Sequence, residues 1–210
     1  MDWSDSWRGA FRIELRAQAI GLAYRGWPVM PGTYPAGSAW AGGTTPLPTG
    51  PNPVHEDWAS RVGATADEVA EWWNGESFSV LVATGTTLDA IEVGTDIGRR
   101  TAAVLRAAGQ PVPIAATPEG RWLFLTTAGQ PLPRELAEHD DIVLHGAGSW
   151  IPLPPTAFEH GIVHWRVRPE VCGWVLPTAH TVQDAMVRAV IESHDLTSAG
   201  QLVGADRAFA

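Results

Sequence analysis

Residues Phe78 to Gly94, FSVLVATGTTLDAIEVG, place two apolar runs on either side of a Thr-Gly-Thr-Thr turn. Phe78, Val80, Leu81, Val82 and Ala83 form the first run, and Leu88, Ala90, Ile91 and Val93 repeat its strand-forming character in the second. The stretch predicts a β-hairpin whose second strand exits with a carboxylate, Glu92. Gly94, two residues on, shares the strand face of Glu92, because side chains alternate with a period of two.

Helical spacing brackets this unit. Phe11, Leu15, Ala19 and Leu22 recur on one face between Ser6 and Gly26, which predicts an opening helix packed on the sheet. Trp27, Val29 and Met30 follow as a short strand. Thr65-Ala-Asp-Glu68 is a capping box that starts a helix ending at Trp72 and Trp73. Asp96 to Ala108 predicts a helix stopped by Gly109, with Ile97, Thr101, Val104 and Leu105 inward. Val112–Ala115 and Arg121–Thr126 predict strands around a Pro-Glu-Gly turn. Asp141–Leu144 and Trp150–Leu153 predict a pair around Gly146-Ala147-Gly148, Ile162–Val167 a further strand, and Val182–Ser193 a closing helix. This mixed order predicts an α+β (mixed α/β) fold with a largely antiparallel central sheet flanked by helices. We read residues 1–198 as a single domain, with an irregular Gly/Pro-rich loop at 33–63 and a loose tail at 199–210.

Composition narrows the function classes. The 210 residues contain no lysine, so all 14 basic side chains are arginines, and the formal charge is −9. An acidic chain is poorly suited to broad nucleic-acid binding, which depends on phosphate neutralisation. Arg8, Arg12 and Arg16 recur along the first helix and read as a solvated face. Cys172 is alone, which excludes a disulfide within the chain and a cysteine zinc site and points to the cytoplasm. No stretch approaches a membrane span. Of the eleven tryptophans, Trp3, Trp7, Trp40 and Trp58 fall in weakly patterned segments and are candidates for a partner surface.

An ordered series of motifs resembles the bifunctional DNA primase/polymerase (prim-pol) family, in an eroded form of the kind found among actinobacterial proteins. LAYRGWPVMP (22–31) resembles its helix followed by Gly-Trp-Pro-Val-x-Pro, and ATADEVAEWW (64–73) resembles its A-T-x-D-x-I-x-x-W-W helix. TPEGRWLFL (117–125) resembles T-P-x-G-G-x-H-x-Y-F, and DIVLHGAGSWIPLPPT (141–156) resembles D-x-R-G-x-G-G-Y-x-x-x-P-P-S. The resemblance implies a strand ending in two metal-binding carboxylates one residue apart, here Glu92 and Gly94, with a third acid at Asp141. It also implies a His at the nucleotide phosphates, a role for which the pattern points to Trp122, and a basic residue where His145 stands.

These departures predict a catalytically degenerate prim-pol-like protein, a binding or regulatory module. Glu92, Trp122, Asp141 and His145 would line its cleft, with Arg121 a further ligand-binding candidate, and the cleft would take a nucleotide, another small ligand or a protein segment. One alternative is a metal-dependent nucleotidyltransferase in which Glu92 and Asp141 hold one Mg²⁺ or Mn²⁺ through oxygen ligands. The other is a protein-interaction scaffold. Asp89, three residues from Glu92, points to the opposite strand face, and His160 and His164 have metal-ligand spacing only on a helix, whereas their segment reads as a strand.

Overall fold

The computed structural model describes residues 3–37, 39–43 and 50–191, with side chains from residue 9 onward. The tail at 199–210 lies outside the described residues, as do the side chains of Trp3, Trp7 and Arg8. Helix α1 (Trp3–Tyr24) buries Leu15, Ala19 and Leu22 and ends at Gly26, whose φ of 76° suits glycine. Strands β1 (Val29–Gly32), β2 (Tyr34–Ala36) and β3 (Ala39–Ala41) follow, then helix α2 (Ala66–Trp72). The capping box of α2 is complete: the Glu68 amide donates to the Thr65 hydroxyl, and the Glu68 carboxylate accepts from the Thr65 amide. Arg12 and Arg16 are exposed, as expected of a solvated face, and donate to the carbonyls of Gly75 at 3.3 Å and Ala70 at 3.2 Å.

Strands β4 (Ser79–Ala83) and β5 (Leu88–Gly94) lead into helix α3 (Thr95–Ala107). Next come β6 (Ile114–Ala116), β7 (Arg121–Thr127), α4 (Arg134–Ala137), β8 (Ile142–His145), β9 (Trp150–Pro152), β10 (Ala157–Phe158), β11 (Gly161–Ile162) and β12 (His164–Val167). Helix α5 covers 179–191 and starts earlier than its apolar pattern implied. The fold is mixed α+β, and every strand pairing among the described residues is antiparallel.

Two expected hairpins are not hairpins. β4 lies in a three-stranded sheet of order β1-β4-β9, and β5 in a five-stranded sheet of order β12-β6-β7-β5-β8. The 78–94 segment is therefore a bend between sheets, and β8–β9 is a second bend laid against it, with β4 on β9 and β5 on β8. The bends interlock: the Thr84 amide donates to the Ser149 carbonyl at 2.9 Å and the Thr84 hydroxyl to the Gly146 carbonyl at 2.6 Å. The β6–β7 hairpin forms as expected. Within 33–63, read as irregular, β2 and β3 pair and residues 58–61 form a 3₁₀ turn.

Each face of the five-stranded sheet is covered. Ile91, Val93, Trp122 and Phe124 pack beneath Leu105 of α3 and Val182, Met186 and Val190 of α5. On the other face, Leu88, Ala90, Leu123 and Leu125 join Leu15, Ala19 and Leu22 of α1 and Val80, Val82 and Ile151 of the smaller sheet. Ile191, an apolar residue of α5, is exposed. No helix among the described residues is long and apolar enough to cross a membrane.

Candidate functional site

The face of β5 that carries Glu92 meets the α1 core over Leu88 and Ala90 and then opens at the strand's end. Directly paired antiparallel residues share a face. Leu123 stands opposite Glu92, His145 opposite Ala90, and Arg121 opposite Gly94. Register therefore brings Arg121, Leu123 and His145 around Glu92, on the wall of a cleft of about 620 Å³ that Trp40 and Trp150 help line. A larger cavity of about 870 Å³ lies between α1, β2 and the β10–β11 hairpin. The ionisable residues on its lining are Arg12 and Tyr34, whereas Glu92, Arg121 and His145 all face the smaller cleft.

Arg121 is the hub of this site. Its Nε donates to Glu92 Oε1 at 2.7 Å, one terminal nitrogen pairs with Asp141 Oδ1, and the other donates to the Asp141 carbonyl at 3.0 Å. Asp141 Oδ2 accepts from the Gly94 amide at 3.0 Å. On the far side of Glu92, His145 Nε2 lies 2.8 Å from Oε2, and its Nδ1 lies 3.1 Å from the Ser149 hydroxyl. An ionised carboxylate only accepts, so Nε2 carries a proton in either ring state; at Nδ1 a neutral ring accepts a hydrogen bond from the Ser149 hydroxyl and a protonated one donates to it.

Burial raises the affinity of the Glu92 carboxyl for a proton, but hydrogen bonds from His145 and Arg121, and their charge, outweigh it and hold the pKa below its ordinary value of 4.5. Burial acts on Arg121 in the opposite direction and is likewise overcome by its two carboxylates, which raise its pKa. A carboxyl with a depressed folded-state pKa contributes stability above its unfolded pKa and loses it as pH falls through the folded value. Thermal unfolding should thus show an acid-side decline below about pH 4.5 that is shallower in Glu92→Gln. Parallel acid limbs in the two proteins would show that Glu92 does not drive the decline.

The residues do not fit a pair of divalent cations. Among the described residues no three His, Cys, Asp or Glu side chains are grouped so as to hold a metal ion. A Cβ at Gly94 would lie 2.3 Å from Asp141 Oδ2, so a second strand ligand would have to displace this carboxylate from the Gly94 amide. Glu92 and Asp141 are both already bonded to one guanidinium.

Other candidates disperse. Trp122 lies on the reverse face of β7, 6% exposed in the core below α3, with the Arg166 guanidinium 4.6 Å from its ring centre. Arg121 and Leu123, on either side of it, are the residues that face the cleft. Asp89 is buried on the reverse face of β5 and accepts from the Gly129 amide at 2.8 Å, while Asp96 pairs with Arg99 at the surface. His160 reaches the cleft rim beside Glu159, whereas His164 lies exposed on β12 outside it. Trp40 packs edge-to-face on Phe158 and Trp58 on Trp150. The sequence reading missed Leu123, and it missed Ser149 as the support of His145.

The family model for the bifunctional DNA primase/polymerase N-terminal domain matches residues 19–180, about three quarters of the chain. The chain belongs to that family. Comparison with curated proteins gave no match. Counted from Thr117 without a gap, the prim-pol pattern T-P-x-G-G-x-H puts its His position at Leu123, in agreement with the register, and its second Gly at Arg121. This prim-pol domain therefore carries an aliphatic residue where the pattern has a phosphate-binding imidazole, and a guanidinium where it has no side chain.

Proposed function

We propose that this chain is a prim-pol domain that has given up two-metal nucleotidyl transfer and serves as a cytoplasmic binding or regulatory module. The observation that supports this most directly is the space beside Gly94. Two-metal phosphoryl chemistry clamps the attacking and leaving oxygens between ions about 3.5–4 Å apart, which requires carboxylates shared between them. Here Asp141 Oδ2 fills the volume where a side chain at position 94 would begin. The cleft also lacks the charge for a triphosphate. Its guanidinium is bonded to two carboxylates, and Glu119 and Glu159 add negative charge to its lining. Trp40, Trp150 and Leu123 suit it better to a ligand with an apolar body and little negative charge.

Primer extension with Mn²⁺ and labelled nucleoside triphosphates tests this reading. Incorporation should not exceed that of Asp141→Ala. Incorporation that disappears in Asp141→Ala would overturn it and establish a one-metal nucleotidyltransferase.

A further inference from the structure

Resting on the reading just given, we propose that Arg121 is the permanent counter-cation of Glu92 and Asp141, and that the two carboxylates form a latent divalent-cation site kept shut by its guanidinium. Three oxygens converge on this side chain: Oε1 of Glu92, Oδ1 of Asp141 and the Asp141 backbone carbonyl. Carboxylate and carbonyl oxygens are the donors that hard divalent ions take. They come from β5 and from the residue preceding β8, neighbouring strands of one sheet. Glu92 is fixed by strand pairing, and Asp141 stands in the turn that leads into β8, where the Gly94 amide holds it.

The position of the cation is also fixed from the other side. Arg121 pairs directly across the sheet with Gly94, the residue whose missing side chain leaves room for Asp141 Oδ2 and whose amide binds it. The Gly94 amide and the Arg121 guanidinium thus hold Asp141 by both of its carboxylate oxygens. A tethered guanidinium cannot dissociate, so the charge balance here is independent of metal concentration. It carries a single positive charge and directional donors, whereas an ion would carry two charges and take whichever oxygens are free.

Removing the arginine should uncover the site. The decisive experiment measures free Mn²⁺ by its electron paramagnetic resonance signal during titration of wild type, Arg121→Ala and Arg121→Ala with Asp141→Asn, each first shown folded by circular dichroism. Arg121→Ala should bind one Mn²⁺ at least tenfold more tightly than wild type, and the added Asp141→Asn should return the affinity to the wild-type level. In thermal unfolding, Mn²⁺ should raise the Tm of Arg121→Ala and leave wild type unmoved, and EDTA should not alter wild type. Should Arg121→Ala not fold, Arg121→Gln, which keeps length and a donor but no charge, takes its place in the same titration. A folded arginine variant that binds Mn²⁺ no better than wild type would overturn the proposal. So would a wild type that binds as tightly as the variant. Primer synthesis by wild type would defeat the functional reading above, whereas indifference of the arginine variant to Mn²⁺ would defeat only this one.

Discussion

Gly85→Ala should lower the stability of the protein by about 3 kcal/mol or more, from the combined cost of a left-handed alanine and an overfilled contact. The residue has φ 97°, and a Cβ there would sit 2.2 Å from the Cα of Ala147. The atom it meets is backbone, held where the two bends interlock through Thr84, Gly146 and Ser149, so neither segment can yield without parting the sheets. For a chain of this size the fall in Tm should be about 6–12 °C by circular dichroism. Gly148→Ala isolates the backbone contribution: φ there is 78° and nothing lies within 4 Å of the added carbon. It should cost about 1 kcal/mol. Equal losses in the two variants would show that the close approach to Ala147 contributes nothing.

That contact also explains what the sequence did not disclose. The turn at 84–87 has the composition of a hairpin, and the Gly85 amide does bond to the Leu88 carbonyl. Pairing partners, however, are chosen by long-range packing. The inward residues of β4 pack with α1 and β9, while β5 is held between β7 and β8. No local pattern distinguishes a strand that folds back on its neighbour from one that crosses to a second sheet. The α1 stripe and the α2 capping box were legible because the helical spacing of the one and both partners of the other are set within a few residues of sequence. The stop of α3 at Gly109, φ 65°, was legible for the same reason.

The site was legible to the same degree. Glu92, Asp141 and His145 could be named from motifs, and the structure brings them together through Arg121 and two hydrogen bonds to His145. The choice between Trp122 and Leu123 depends on strand phase, and a one-residue slip transfers a side chain to the other face of the sheet. The pattern read one residue short lands on the tryptophan, which register assigns to the core. The bridging role of Arg121 needed the cross-strand pairing with Gly94, which joins segments 27 positions apart and leaves no trace in either.

Gly94→Asp, which restores the carboxylate the family pattern has at this position, should destabilise the protein by about 2 kcal/mol at neutral pH and confer no nucleotidyl transfer. Local rules argue the other way. Gly94 is the N-cap of α3, with φ −66° and ψ 162° and no capping side chain, and aspartate in that role gains a few tenths of a kcal/mol over glycine. Against this stands the 2.3 Å approach of the new Cβ to Asp141 Oδ2, a cost of about 1–3 kcal/mol for an overfilled site. A third carboxylate would also share the one guanidinium that already neutralises two. The Tm should fall by about 4–8 °C. The sign of the pH response separates crowding from charge. Repulsion raises the pKa of the added carboxyl in the folded state, so its destabilisation is present above that pKa and is relieved as pH falls through it, above about 4. A deficit that stays constant with pH would leave steric crowding as the whole effect, and a Tm at or above wild type would show that Asp141 yields its place freely. Because Arg121 still binds Glu92 and Asp141 in this variant, adding the lost acid alone does not free the carboxylates, and Arg121→Ala in the same chain is the change that should let Mn²⁺ recover the lost stability.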